Sequence, residues 1–273
     1  MSLVEAAGQR LEVLWAEAAQ SPKSSSWRDN RSESQDGPVL VFLHEGLGCA
    51  AQWRGFPALL AAETGLAALA YSRRGYGKSD PLPGPHAPDF MHEEAETVLP
   101  ALLDALGIES TILVGHSDGG SIALIHAGTP EVEGGRVRGL IVEAPHVFIE
   151  EISLASIAAA KEAYETTDLR AKLARWHGAN VDHAFRGWND AWLSPAFRDW
   201  NIEDRLPAIA CPVLAIQGEE DEYGTAEQVH RIARASGGPV EIALLPGCGH
   251  APHRDRDDTV LALMADFVRR LPA

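Results

Sequence analysis

The stretch TILVGHSDGGSIALIHA, residues 111–127, decides how the rest of the chain is read. The apolar run Thr111–Val114 is strand-like. Gly115-His116-Ser117-Asp118-Gly119 follows directly, and residues from Gly119 to Ala127 then show helical apolar spacing. A strand without polar alternation is buried on both faces, as in a parallel sheet covered by helices. The turn itself is G-x-S-x-G. Its glycines let the backbone bend without Cβ clashes, so Ser117 is forced outward at a strand-to-helix junction. The helix N-terminus behind the serine adds positive potential for a developing oxyanion.

The same alternation extends on both sides. Apolar runs of strand length occur at Val39–Leu43, Leu66–Tyr71, Val137–Val142, Pro212–Ile216 and Val240–Leu245. Helical patterns lie at Ala50–Glu63, Met91–Leu106, Thr225–Ala235 and Asp257–Leu271, and residues 9–18 look like an early strand. The expected fold class is α/β, a mostly parallel central sheet flanked by helices, with the site at the C-terminal edge of the strands. The rhythm breaks between Glu143 and Pro212, where helical periodicity runs without a strand and Trp176, Trp188, Trp192 and Trp200 concentrate. The simple reading is a core of residues 1–146 and 207–273 carrying an inserted helical cap, 147–206. The cap tryptophans either line a substrate pocket, with Trp188 and Trp192 as the candidates, or form the cap's own core. The polar segment 21–37 buries almost nothing and is expected to be a mobile loop.

Two further loops complete a constellation with Ser117. Asp221 follows the strand PVLAIQ, three residues past Gly218, and His250 follows EIALL through Pro246-Gly247-Cys248-Gly249. A serine at neutral pH needs an imidazole to take its proton, and the imidazole needs a carboxylate to fix its tautomer. The order serine, acid, histidine suits a G-x-S-x-G turn in an open α/β sheet. Glu219, Glu220, Glu222 and Glu143 compete with Asp221 as the acid, but the loop offset favours Asp221. His44-Glu45-Gly46-Leu47-Gly48 follows the strand VLVFL, and a loop there supplies one backbone N–H to an oxyanion hole beside that of Asp118. Gly46 is the candidate donor, with Leu47 one register away.

FLHEGLG, Trp53 with Phe56-Pro57, YSRRGYGKSD, GHSDGG, GEEDEYG and GCGHAPH together resemble the α/β-hydrolase superfamily, in its esterase/lipase-like branch, from about Gln9 to the C-terminus. The resemblance implies an eight-stranded, mostly parallel sheet, a variable cap, no cofactor and a small-molecule substrate. Glu45 departs from the pattern, because the family commonly has glycine after the histidine. The Ser-Asp-Gly-Gly turn is also similar to that of the valacyclovir-hydrolase branch, where the aspartate binds an α-amino group. Asp118 therefore has two readings, an anion at a helix N-terminus or an ammonium anchor, and Glu45 shares the second.

Composition limits the partners. The formal net charge of −16 repels phosphate backbones and anionic lipid surfaces, so neither nucleic acid nor membrane is expected. Three cysteines without paired spacing and a charged N-terminus fit a cytoplasmic protein. Gly77-Lys78-Ser79 lacks the earlier glycine of a P-loop, and Cys248, His250 and His253 sit in one short loop, so no metal site is expected. The expected activity is hydrolysis of carboxylic esters through an acyl-enzyme. An aminoacyl-ester hydrolase or aminopeptidase, and a non-catalytic receptor on the same scaffold, are the alternatives.

Overall fold

The computed structural model describes residues 2–16 and 37–272. Apart from Gly37, the segment 21–37 expected to be mobile lies outside them, as do residues 17 and 18 of the early strand.

An eight-stranded sheet has the order β1-β2-β4-β3-β5-β6-β7-β8. The strands are β1 (Ser2–Ala6), β2 (Gln9–Ala16), β3 (Val39–Leu43), β4 (Ala68–Ser72), β5 (Thr111–His116), β6 (Val137–Glu143), β7 (Val213–Gly218) and β8 (Val240–Leu245). From β4 to β8 every pairing is parallel, while β2 pairs antiparallel with both β1 and β4. β3, β4 and β5 are buried along their whole length, as their unbroken apolar runs require. Strand alternation sends Leu11, Val13, Val41, Leu69 and Leu113 into one apolar layer. Leu14, Leu40, Phe42, Ile112 and Val114 enter the layer on the opposite face.

Three elements depart from the sequence reading. The helix expected over Ala50–Glu63 is split at Arg54, which sits at φ 53°, into a 3-10 turn Ala50–Trp53 and the helix Phe56–Thr64. The strand β1 was not foreseen; it is short and half-exposed, and turns back into β2 through Ala7 and Gly8, both at positive φ. The helix expected over Met91–Leu106 is interrupted. It runs as Phe90–Glu93, a π turn Glu94–Val98, and Leu99–Ala105. Pro100 has no N–H to donate to the preceding turn and its ring crowds that turn's carbonyl, so the ladder widens there. The widened turn carries Glu94, whose carboxylate accepts the Tyr71 hydroxyl at 2.7 Å in the buried layer.

Between β6 and β7 the chain leaves the sheet for the helices Glu151–Thr166, Leu169–His177 and Val181–Trp192. These helices are tied to loops at the C-terminal edge of the strands. The His177 ring accepts the Gly77 N–H at 3.0 Å and donates to the Leu47 carbonyl at 3.0 Å, and Asn180 donates to the Ser79 carbonyl at 2.9 Å. Among the described residues, no helix is long and apolar enough to cross a membrane.

Candidate active site

Ser117 directly follows β5 with φ 52° and ψ −119°, a conformation that costs an L-residue on the order of 1–3 kcal/mol. The surroundings hold it there. Its N–H donates to the Glu143 carbonyl at 2.9 Å, and its own carbonyl accepts the Ser121 N–H at 3.0 Å. The two glycines of the turn are required by close approach. A Cβ on Gly115 would lie 2.3 Å from the Gly119 carbonyl oxygen, and one on Gly119 would lie 2.0 Å from that of Leu43.

Three loops converge on this serine. His250 Nε2 is 3.0 Å from Ser117 Oγ, and His250 Nδ1 is 2.9 Å from each carboxylate oxygen of Asp221. Asp221 is fixed by further donors, Gln217 Nε2 at 2.7 Å and the backbone N–H of Tyr223 at 2.7 Å. Burial alone would raise the Asp221 pKa, but the hydrogen bond and charge of His250, with the Tyr223 N–H, outweigh it and hold the carboxyl below its usual range. Burial likewise opposes the charged form of His250, yet the Asp221 hydrogen bond and charge leave its pKa raised. The His116 ring, directly before the serine, donates from Nε2 to the His250 carbonyl at 2.6 Å and steadies that loop. Of the competing acids, Glu219, Glu220 and Glu222 are exposed, and Glu143 is occupied by His253.

A cavity of about 350 Å³ opens over Ser117, with Glu45, Leu47, His146, Trp188, Trp192 and Tyr223 in its wall. In the loop after β3, the Leu47 N–H, the alternative donor one register on, is taken by Glu45 Oε2 at 2.7 Å. The other Glu45 oxygen is 3.7 Å from the Arg254 guanidinium. Trp188 presses on the loop so closely that a Cβ on Gly46 would lie 2.1 Å from its indole nitrogen. Trp192 is 1% exposed and donates from Nε1 to Asp118 Oδ1 at 3.2 Å. The second Asp118 oxygen lies 3.7 Å from Arg73 Nη2. Burial pushes the Asp118 pKa up to about 6, against the charge of Arg73 and the Trp192 hydrogen bond.

Sequence reasoning missed Arg73 and His146. Arg73 is 3% exposed although it belongs to an Arg-Arg doublet. The signal lay in alternation, since Arg73 falls two residues past Tyr71 and so shares its inward face. His146 is buried, and its pKa is pushed down to about 3 by that burial, so the ring beside the cavity is neutral.

The profile of the alpha/beta hydrolase family matches residues 40–263. The chain belongs to this family. A mouse (Mus musculus) relative, sn-1-specific diacylglycerol lipase ABHD11, is 34% identical over 90 residues, which are 33% of this chain and 28% of the lipase. This α/β hydrolase thus spans under a third of that relative's length. The crystal structure of the enol-lactonase from Burkholderia xenovorans LB400 superposes with a TM-score of 0.71 at 18% identity, over 98% of this chain and 100% of that one. Proline iminopeptidase from Mycobacterium smegmatis gives 0.68 at 21% identity, over 98% and 97%. At such identities the structural likeness speaks for the fold.

Proposed function

We propose that this α/β hydrolase cleaves carboxylic esters through an acyl-enzyme formed on Ser117. The observation that carries the reading is the unbroken chain Ser117 Oγ, His250 imidazole, Asp221 carboxylate, with contacts of 3.0 and 2.9 Å. His250 removes the proton as Ser117 attacks the carbonyl carbon, and returns it to the leaving alkoxide. Asp221 holds the Nδ1–H tautomer and stabilises the imidazolium. Water then repeats the cycle on the acyl-enzyme. The N–H groups of Gly46 and Asp118 hold the oxyanion of both tetrahedral intermediates. The helices over 147–206 act as a cap, with Trp188 and Trp192 facing the acyl or alcohol portion of the substrate.

The aminoacyl variant of this activity meets a competitor at Asp118: Trp192 donates to Oδ1, and although Oδ2 accepts no hydrogen bond among the described residues, the Arg73 guanidinium 3.7 Å away already balances its charge. Incubation with a fluorophosphonate probe, followed by peptide mapping, tests the proposal. The adduct is expected on the peptide holding Ser117, together with turnover of p-nitrophenyl acyl esters that Ser117→Ala abolishes. Binding of such esters without turnover by the wild-type chain would replace the enzyme with a receptor.

A further inference from the structure

We propose that Arg73 is a positioning residue of the oxyanion hole, holding the Glu45–Gly46 peptide so that its N–H faces the nucleophile. The inference rests on the ester-hydrolase reading, with the Gly46 N–H as a donor. The argument begins with the peptide group. In a planar trans unit the carbonyl of Glu45 and the N–H of Gly46 point in opposite directions, so anchoring one aims the other. No cis peptide occurs among the described residues. The Glu45 carbonyl is anchored three times, by His44 Nδ1–H at 2.7 Å, the Gly48 N–H at 3.1 Å and Arg73 Nη2 at 3.2 Å. A half-turn of this peptide would present a carbonyl oxygen where the N–H is needed, and would break all three contacts.

Residue 73 also supports the His44 anchor, through its side chain and its backbone. Its Nη1 donates to the His44 carbonyl at 2.9 Å, and its backbone N–H donates to His44 Nε2 at 3.1 Å. With Nε2 accepting, the neutral His44 ring must carry its proton on Nδ1, which is the atom that faces the Glu45 carbonyl. Burial lowers the His44 pKa well below its ordinary value, so the ring keeps that neutral form. The same Nη2 lies 3.7 Å from Oδ2 of Asp118, the residue whose own N–H is the second donor. One cation thus touches both chain segments that form the hole. Arg73 is absent from the wall of the cavity over Ser117, so it acts through these peptides rather than on the substrate. A planar fork with five donors serves two carbonyls and a carboxylate at once; a lysine ammonium offers a single point charge.

The test compares wild type, Arg73→Met and Arg73→Lys on an acyl ester and on its thionoester, whose sulfur accepts N–H hydrogen bonds poorly. The wild type is expected to favour the oxygen ester far more than hydroxide does. Loss of one oxyanion donor costs about 10²–10³ in kcat, so misdirecting it in Arg73→Met should cost about 10–100-fold, with KM little changed. The oxygen-to-sulfur preference should fall in parallel, while the pH midpoint of kcat/KM stays in place because His250 and Asp221 are untouched. Arg73→Lys, which keeps a buried cation beside Asp118, should fall between and serves alone if Arg73→Met does not fold. A lower melting temperature with kcat and the oxygen-to-sulfur preference both unchanged would overturn the proposal and leave Arg73 a packing residue. A wild type with no preference beyond that of hydroxide would instead overturn the N–H hole itself.

Discussion

His253 Nδ1 and Glu143 Oε2 lie 2.7 Å apart, forming a second imidazole–carboxylate pair beside that of His250 and Asp221, with the His116 ring in contact with both imidazoles. The pair is buried, with side chains 3% and 0% exposed, and the Trp53 ring packs against its imidazole with centroids 4.5 Å apart and planes tilted by 36°. It joins the end of β6 to the loop after His250, yet neither member touches Ser117 Oγ. Two pairs of similar chemistry therefore make opposite predictions.

Asp221→Asn should lower kcat by about 10⁴, through the wrong histidine tautomer. Glu143→Gln should change kcat less than about tenfold and act instead on stability, by about 1–3 kcal/mol for a disturbed buried hydrogen bond. Steady-state kinetics and urea melts on both variants check the assignment. A crippled Glu143→Gln beside a mild Asp221→Asn would exchange the two roles.

The pH profile follows from His250. Attack requires its neutral form, and its pKa is raised above 6.5 chiefly by the Asp221 hydrogen bond working against burial. The acid limb of kcat/KM should therefore have its midpoint above pH 6.5, and that midpoint should drop in Asp221→Asn. In stability the sign is reversed. The folded state holds this proton more tightly, so the pair contributes below the unfolded pKa and fades as pH rises through the folded one.

Glu94 should make stability fall with pH. Burial pushes its pKa from 4.5 up to about 7, so the folded state keeps a proton that the unfolded chain has lost. Between about pH 4.5 and 7 this penalty should grow to on the order of 3 kcal/mol. Glu94→Gln keeps an acceptor for Tyr71 and removes the charge. Its stability relative to wild type should rise across that interval, as read by urea midpoints at both ends; a constant difference would refute the assignment.

Trp188 and Trp192 should separate on substitution. Trp188→Ala opens the wall beside Gly46 and should shift the preference between long and acetyl esters by about 1–3 kcal/mol. Trp192→Ala removes the donor to Asp118 and a side chain packed on Phe197 and Trp200, so a stability loss of about 3–5 kcal/mol should dominate. Acyl-length profiles and thermal melts distinguish these outcomes.

An α-amino ester should gain no advantage from Asp118. With Trp192 bonded to Oδ1 and the Arg73 charge 3.7 Å from Oδ2, kcat/KM for the amino and des-amino esters should agree within about tenfold. A larger preference that disappears in Glu45→Gln would move the ammonium site to the oxyanion loop; one that disappears in Asp118→Asn would show that the Arg73 contact opens.

What the sequence determined by itself were the features whose cause is local. Unbroken apolar runs marked β3, β5 and β7, because a strand covered on both faces has no polar alternation. The glycines around Ser117 marked the turn, because only they allow so close a passage of backbone. The spacing Gly218 to Asp221 singled out the carboxylate that meets His250, since a short loop after a strand leaves few positions at the sheet edge. The strand β1 escaped because five half-exposed residues carry too little periodicity. Tertiary structure alone decided the partners of the buried charges. Trp192 reaches Asp118 across 74 positions and His253 reaches Glu143 across 110. Arg73 meets the His44 loop only because β4 lies beside β3 in the sheet. Whether a carboxylate is solvated, ion-paired or catalytic depends on which strand ends stand next to each other. That order arises from the packing of both sheet faces, and no window of neighbouring residues contains it.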